Sequence, residues 1–205
     1  DQLRRESEVL KRIQLGGVAQ IVSEGLEDPE PWIAFQYIEG LSLRDHVNRY
    51  GPMRPDVVQP LAFRLFGLLS ELHQQGAAHR DISPNNIILS RQGPVLVDFG
   101  TARIDLDHAV TGSQLLVGTP GYYAPEVLDG SPVGTPADVF NLARVLQFCL
   151  TGTDPETASL DVFGDWDNEL SRAMAKATEL DPRNRAQAPE LVELLRCNTL
   201  PLESL

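Results

Sequence analysis

The chain has 205 residues, of which 17 are Lys or Arg and 29 are Asp or Glu, for a formal net charge of −12. That length suits one or two domains with a sizeable buried core, and 42% hydrophobic with 22% charged residues is a globular balance that excludes wholesale disorder. The acidic balance argues against nucleic acid or an anionic membrane surface as a partner, and no run approaches the ~18 consecutive apolar residues of a membrane span. The two cysteines, Cys149 and Cys197, have neither metal-ligand nor disulfide spacing, and both read as reduced packing thiols of an intracellular, cytoplasmic protein.

The chain opens on DQLRRESEVLKRI, with no initiator Met, no signal-peptide pattern and no cap, so it is expected to start inside a helix of a longer chain. Leu3, Glu6, Leu10 and Ile13 fall at helical spacing and predict a helix over 1–13, ended by Gly16-Gly17. Two β-like runs, VAQIVSEG and WIAFQYIEG, flank the turn-rich EDPEP. Ser42 is placed to cap a short helix, SLRDHVNRY, that Gly51-Pro52 stops. A long amphipathic helix is predicted from Pro55 to Gln75, with Leu61, Leu65, Leu68 and Leu72 on one face and Gly76 closing it. The apolar runs NIIL and VLVDF around Gly93-Pro94 predict a hairpin. From Gly100 to about Ala124 the chain lacks periodicity, and a loop of that length inside a compact domain is functional or mobile. Helical patterns return at 136–150, at about 168–178 and at 189–196. Strand pairs ahead of a mostly helical remainder define an α+β protein.

Four segments follow in a telling order: HRDISPNN (79–86), VDFG (97–100), GTPGYYAPE (118–126) and ADVFNLARVL (137–146). Singly each is weak. In this order, with Asp98 following Asp81 by 17 residues, they are specific, and the chain resembles the eukaryotic-type serine/threonine protein kinase family from residue 1 to about 197. The resemblance implies a protein-kinase-like fold with a truncated small lobe, made of a helix and few strands, and a mostly helical large lobe. Residues 1–40 would be the small-lobe remnant, 41–198 the large lobe and 199–205 a tail.

What the resemblance implies for the site follows residue by residue. ATP and Mg²⁺ are the cofactors, a protein Ser/Thr hydroxyl receives the γ-phosphate, and partners are ATP and a protein substrate, without nucleic acid or membrane contact. Asp81 is the base that accepts or orients the acceptor proton; a loop carboxylate capping a turn is its bland alternative. Asn86 and Asp98 are hard oxygen donors in the two metal positions, Asn86 also being one of the catalytic-loop residues. Arg80 pairs with a phosphate on the activation segment, with Arg103 completing that pocket. Thr111 and Ser113 are either phosphate acceptors or solvated loop hydroxyls, whereas Thr119 faces the catalytic loop. Glu126 pairs with Arg185, Asp138 accepts backbone hydrogen bonds from the catalytic loop, and His79, Phe99 and Leu10 form a packed column. Glu6 is the ion-pairing glutamate of the regulatory helix or else a solvated helix charge. Phe35 is the gatekeeper and Gln36, Tyr37 and Ile38 are the hinge that lines the adenine site. His46, His73 and His108 have no partner pattern and read as ordinary surface or packing residues, and Trp32 and Trp166 as core or lobe packing.

The resemblance breaks in three places. The Gly-rich loop and the strand with the V-A-I-K lysine are not among these residues, and neither Lys11 nor Lys176 stands where that lysine belongs. The isolated chain is therefore expected to turn over ATP poorly and to associate through an exposed strand edge. Ser83 occupies the position of a lysine that touches the γ-phosphate, offering a hydrogen bond without charge. Ala143-Arg144 stands where the helix commonly reads Gly and an apolar residue, which reads as a packing variation. The alternative is a pseudokinase or kinase-like scaffold without transfer activity. A small-molecule kinase of the aminoglycoside phosphotransferase type shares the loop and metal logic but lacks a GTPGYYAPE segment.

Overall fold

The structure, a computed structural model, describes residues 2–13, 15–100, 102–104, 119, 121–130, 134–155 and 168–196. The first helix, α1 (Gln2–Arg12), turns Val9 and Leu10 inward together with Ile13 just beyond it. Its basic last turn, Lys11 and Arg12, suits the negative end of the helix dipole. It lies on an antiparallel pair, β1 (Ile21–Gly25) and β2 (Trp32–Phe35), that extends over less of the two predicted runs than their apolar residues suggest. Ser7 and Lys11 both reach Glu24 of β1, and Arg4 reaches Glu27 in the intervening turn. Trp32 is 43% exposed and donates its indole N–H to Asp28 at 2.8 Å, so it braces the turn and is not a core residue as expected.

After residues 36–39 comes β3 (Gly40–Ser42), and Ser42 caps α2 (Leu43–Tyr50) by accepting the Asp45 N–H at 3.0 Å. The long helix α3 (Pro55–Gln74) starts with Pro at its first position, where a missing N–H costs nothing. Gly76, at φ 71°, leaves the helix in the left-handed region. The chain returns as β4 (Ala77–Ala78), runs through the loop 79–86, and forms the predicted hairpin of β5 (Ile87–Ser90) and β6 (Gly93–Leu96). Strand order in that sheet is β3-β5-β6, all antiparallel, and β4 pairs with the short β7 (Arg103–Ile104). Backbone bonds from Ala19 to Leu96 and from Leu96 to Gly17 tie the segment after α1 to this sheet.

The rest is helical: α4 (Pro125–Leu128), α5 (Thr135–Thr151), α6 (Glu169–Ala177) and α7 (Ala188–Leu195). α5 is the axis of the body. Every residue from 137 to 149 is buried, with α3 packed on one side and α6 on another. Val139, Leu142, Val145, Leu146 and Phe148 supply much of that enclosed surface, with Asp138, Asn141, Arg144 and Gln147 buried among them. One apolar core runs from α1 through Leu61, Leu65, Phe66, Leu69 and Leu72 of α3 to α5, α6 and α7; Leu68 lies at its margin. Cys149 is enclosed in this core, and burial pushes its thiol up to about 12, an inert packing residue as expected. Few short strands and a large helical body make the α+β, kinase-like architecture read from the sequence. No helix among the described residues is long and apolar enough to cross a membrane.

Candidate active site

The loop 79–86 joins β4 to β5, and its start is fixed by one carboxylate. Asp138, fully buried in the first turn of α5, accepts the backbone N–H of His79 at 2.8 Å and of Arg80 at 2.7 Å. The second bond helps to hold Arg80 at φ 69°, a left-handed conformation that a non-glycine residue adopts only when its surroundings impose it. Asp138 also bonds His73 Nε2 of α3 at 3.0 Å. His73 therefore shares the carboxylate that holds the loop 79–86, and has a partner that its reading as an ordinary surface or packing histidine did not anticipate. His79 lies against Phe99 with ring centroids 4.4 Å apart, and Leu10 belongs to the same core.

The His79 ring has Nε2 at 3.2 Å from the Val97 carbonyl, and its Nδ1 faces the Asp81 N–H at 3.4 Å. That pair of contacts selects the neutral tautomer with the proton on Nε2. Complete burial lowers the pKa of His79, opposed by the nearby charges of Asp138, Asp81 and Asp98. The charges of both candidate carboxylates thus act on one buried ring.

The Asp81 carboxylate is held from both sides. Thr119 Oγ1 donates to Oδ1 at 2.9 Å, and Asn86 Nδ2 donates to Oδ2 at 3.2 Å and to the Asp81 carbonyl at 3.0 Å. Because its amide nitrogen is committed to Asp81, Asn86 directs its oxygen, the atom a hard cation selects, away from that residue. Asp98 sits at φ 63°, its Oδ1 accepting the Gly100 N–H at 3.3 Å. An amide oxygen and a carboxylate are a donor set suited to Mg²⁺. Glu6 of α1 is only 8% exposed, and its carboxyl is raised above the usual range by burial and by the charge of Asp98, against a hydrogen bond from the Phe99 backbone. It is no solvated helix charge. Lys11 is committed to Glu24, and no lysine among the described residues pairs with Glu6.

Other expected site residues lie elsewhere. Ser83 is 1% exposed and its hydroxyl has no hydrogen-bond partner among the described residues. Phe35 closes β2, the Gln36 N–H bonds the Gln20 carbonyl at 2.8 Å, Ile38 is half-buried and Tyr37 is 86% exposed. Thr111, Ser113, His108 and Trp166 lie outside the described residues, as does the side chain of Arg103.

The predicted Glu126–Arg185 pair is present: the guanidinium donates to both carboxylate oxygens at 2.6 and 2.9 Å, fully buried on the Arg185 side. Its Nη1 also donates to the Pro136 carbonyl, binding α4 to the start of α5. Sequence reasoning missed a second cluster. Arg44 of α2 donates to Asp154 at 2.7 and 3.0 Å and to the Tyr122 phenol at 3.2 Å, while that phenol donates to Asp154 at 2.9 Å. No local signal marks it, since Arg44 and Asp154 are 110 residues apart.

Few short strands, a mostly helical body and a loop carboxylate bonded by an amide ahead of the VDFG segment fit a protein kinase domain. Residues 1–199 match the family model described as the protein kinase domain, and the chain belongs to that family. It is 41% identical over 152 residues to a probable serine/threonine-protein kinase, PkwA, of Thermomonospora curvata, a match covering 74% of this chain and 20% of that protein. It is 33% identical over 159 residues to the serine/threonine-protein kinase PknH of Mycobacterium bovis, covering 77% and 27%. Against the serine/threonine-protein kinase AfsK of Streptomyces coelicolor it is 34% identical over 152 residues, covering 74% and 19%. The chain spans about a fifth to a quarter of the length of these relatives.

Proposed function

We propose that this chain carries the cleft of a serine/threonine protein kinase, which transfers the γ-phosphate of ATP to a Ser or Thr hydroxyl of another protein. The observation that carries the reading is the 2.9 Å contact of the Thr119 hydroxyl with Asp81. An alcohol donating to this carboxylate supports the reading, since that is the chemistry an acceptor hydroxyl needs. In the reaction the acceptor oxygen forms its bond to the γ-phosphorus, the bond to the bridging oxygen of ADP breaks, and the hydroxyl proton passes to Asp81. Asn86 steadies the carboxylate that must take it.

Asn86 and Asp98 are the residues that would hold Mg²⁺, which supplies neutralisation of phosphate charge when bound. Backbone groups at Gln36, Tyr37 and Ile38 would meet adenine beside Phe35, with residues 1–40 as the small-lobe part and 41–198 as the large lobe. Arg80 is the cation for a phosphate on the activation segment, and Glu6 the partner of a phosphate-holding lysine. Names of similar proteins support the serine/threonine class, as does a GTPGYYAPE segment.

A second reading, a kinase-like scaffold that binds nucleotide without transfer, is favoured by the enclosed, uncharged Ser83. The full-length protein, supplied with γ-labelled ATP, Mg²⁺ and a generic protein substrate, separates the two. Label on serine and threonine is the expected result; nucleotide binding without label favours the scaffold.

A further inference from the structure

Polar residues recur every third position along enclosed α5: Asp138, Asn141, Arg144 and Gln147. They follow an i, i+3 ridge that winds around the helix. Asp138 serves the catalytic loop. Arg144 is 8% exposed, donates from Nη1 to Gln147 Oε1 at 2.6 Å and from Nη2 to the Pro155 carbonyl, and no carboxylate among the described residues bonds it. Burial lowers its pKa, with the buried Tyr122 as a neighbour. A guanidinium enclosed against neutral acceptors costs stability that an apolar side chain of similar length would not. Packing alone does not account for it.

What it gains lies at Pro155. The residue before it, Asp154, is gripped by Arg44 and takes the Tyr122 phenol proton in a hydrogen bond. The Arg44 guanidinium lies 4.2 Å over the Phe148 ring of α5, and its backbone N–H bonds the Pro84 carbonyl of the catalytic loop at 3.0 Å. On the other side the Tyr122 N–H bonds the Thr119 carbonyl at 3.3 Å, and Thr119 bonds Asp81. The contacts close a ring from the catalytic loop through Thr119, Tyr122, Asp154 and Arg44 back to the catalytic loop. Arg144 anchors the turn after α5, which carries the Asp154 corner of this ring. An acceptor protein reaching Asp81 must lie against the segment that carries Thr119, Tyr122 and Tyr123.

We propose that Arg144 is a positioning residue for the protein substrate: by holding the Pro155 carbonyl it sets Asp154, which orients Tyr122 and with it the segment beside Asp81. This rests on the kinase reading above. The test compares Arg144→Met and Arg144→Lys with the wild type in the full-length protein. Arg144→Met is expected to raise KM for the protein substrate about tenfold while KM for ATP stays within about twofold, with faster amide exchange at 121–128 and no loss in Tm; Arg144→Lys restores part of the KM. A folded Arg144→Met protein with wild-type KM and wild-type exchange overturns the proposal. Should Arg144→Met not fold, Tyr122→Phe removes only the phenol oxygen at the far side of Asp154, and an unchanged substrate KM and exchange there overturn it equally. A wild-type protein that transfers no phosphate sinks the kinase reading instead, and amide exchange at 121–128 in Arg144→Met still decides the role of Arg144.

Discussion

Thr119 donates its hydroxyl proton to Asp81 across 38 residues of sequence, at 2.9 Å. The bond orients a carboxylate that Asn86 grips on its other oxygen, so the candidate base is held in one rotamer by two elements that meet only in the folded chain.

Removing that bond separates positioning from binding. Thr119→Val deletes the donor with little change in volume, and a hydrogen bond to a charged group is worth about 1.5–3 kcal/mol. Transfer by the full-length protein is expected to fall in kcat by about one to two orders of magnitude, with Thr119→Ser close to wild type. Nucleotide affinity, followed by titration calorimetry, stays unchanged. Equal kcat for Thr119→Val and wild type would remove Thr119 from the site.

The Glu126–Arg185 pair is almost wholly out of water, so loss of one partner strands a buried charge. Arg185→Met is expected to destabilise by about 3–5 kcal/mol in urea unfolding, and Glu126→Leu with Arg185→Met together to recover most of that. A double variant as unstable as the two single losses added would show that the two residues act independently.

His79 predicts an acid weakness. Its folded pKa lies below its unfolded value, so the unfolded chain takes up a proton first as pH falls. The contribution is fully present above the ordinary histidine value of about 6.5 and is lost progressively as pH falls below it. A proton on Nδ1 would also set two donors face to face at the Asp81 N–H. His79→Phe cannot titrate, and its stability curve should be flatter over that interval; identical slopes for both proteins would rule out His79 as the source.

Much of the site was legible because its signals are local. Ser42 three residues before Asp45 is a cap in any sequence, and the motifs at 79–86, 97–100 and 118–126 carry their chemistry in order. Asp138 and Arg185 came from family resemblance and found their expected contacts. The failures have a common cause. His73 meets Asp138 across 65 residues, and Arg44 meets Asp154 across 110, distances at which composition and periodicity say nothing. Ser83 and Arg144 are both buried, and the reading of Ala143-Arg144 as a packing variation left open what Arg144 bonds. Trp32 errs in the other direction, since a two-stranded hairpin covered by α1 on one side leaves its other face open.

The most direct measurement is the pair Asp81→Asn and Asp98→Asn in the full-length protein, each assayed for Mg-ATP affinity and for phosphate transfer to protein serine and threonine. Asp81→Asn removes the proton acceptor and no metal ligand, so kcat should fall by about 10²–10⁴ with Mg-ATP affinity intact. Asp98→Asn should weaken Mg-ATP binding together with transfer. An Asp81→Asn protein that transfers phosphate at the wild-type rate would contradict the account.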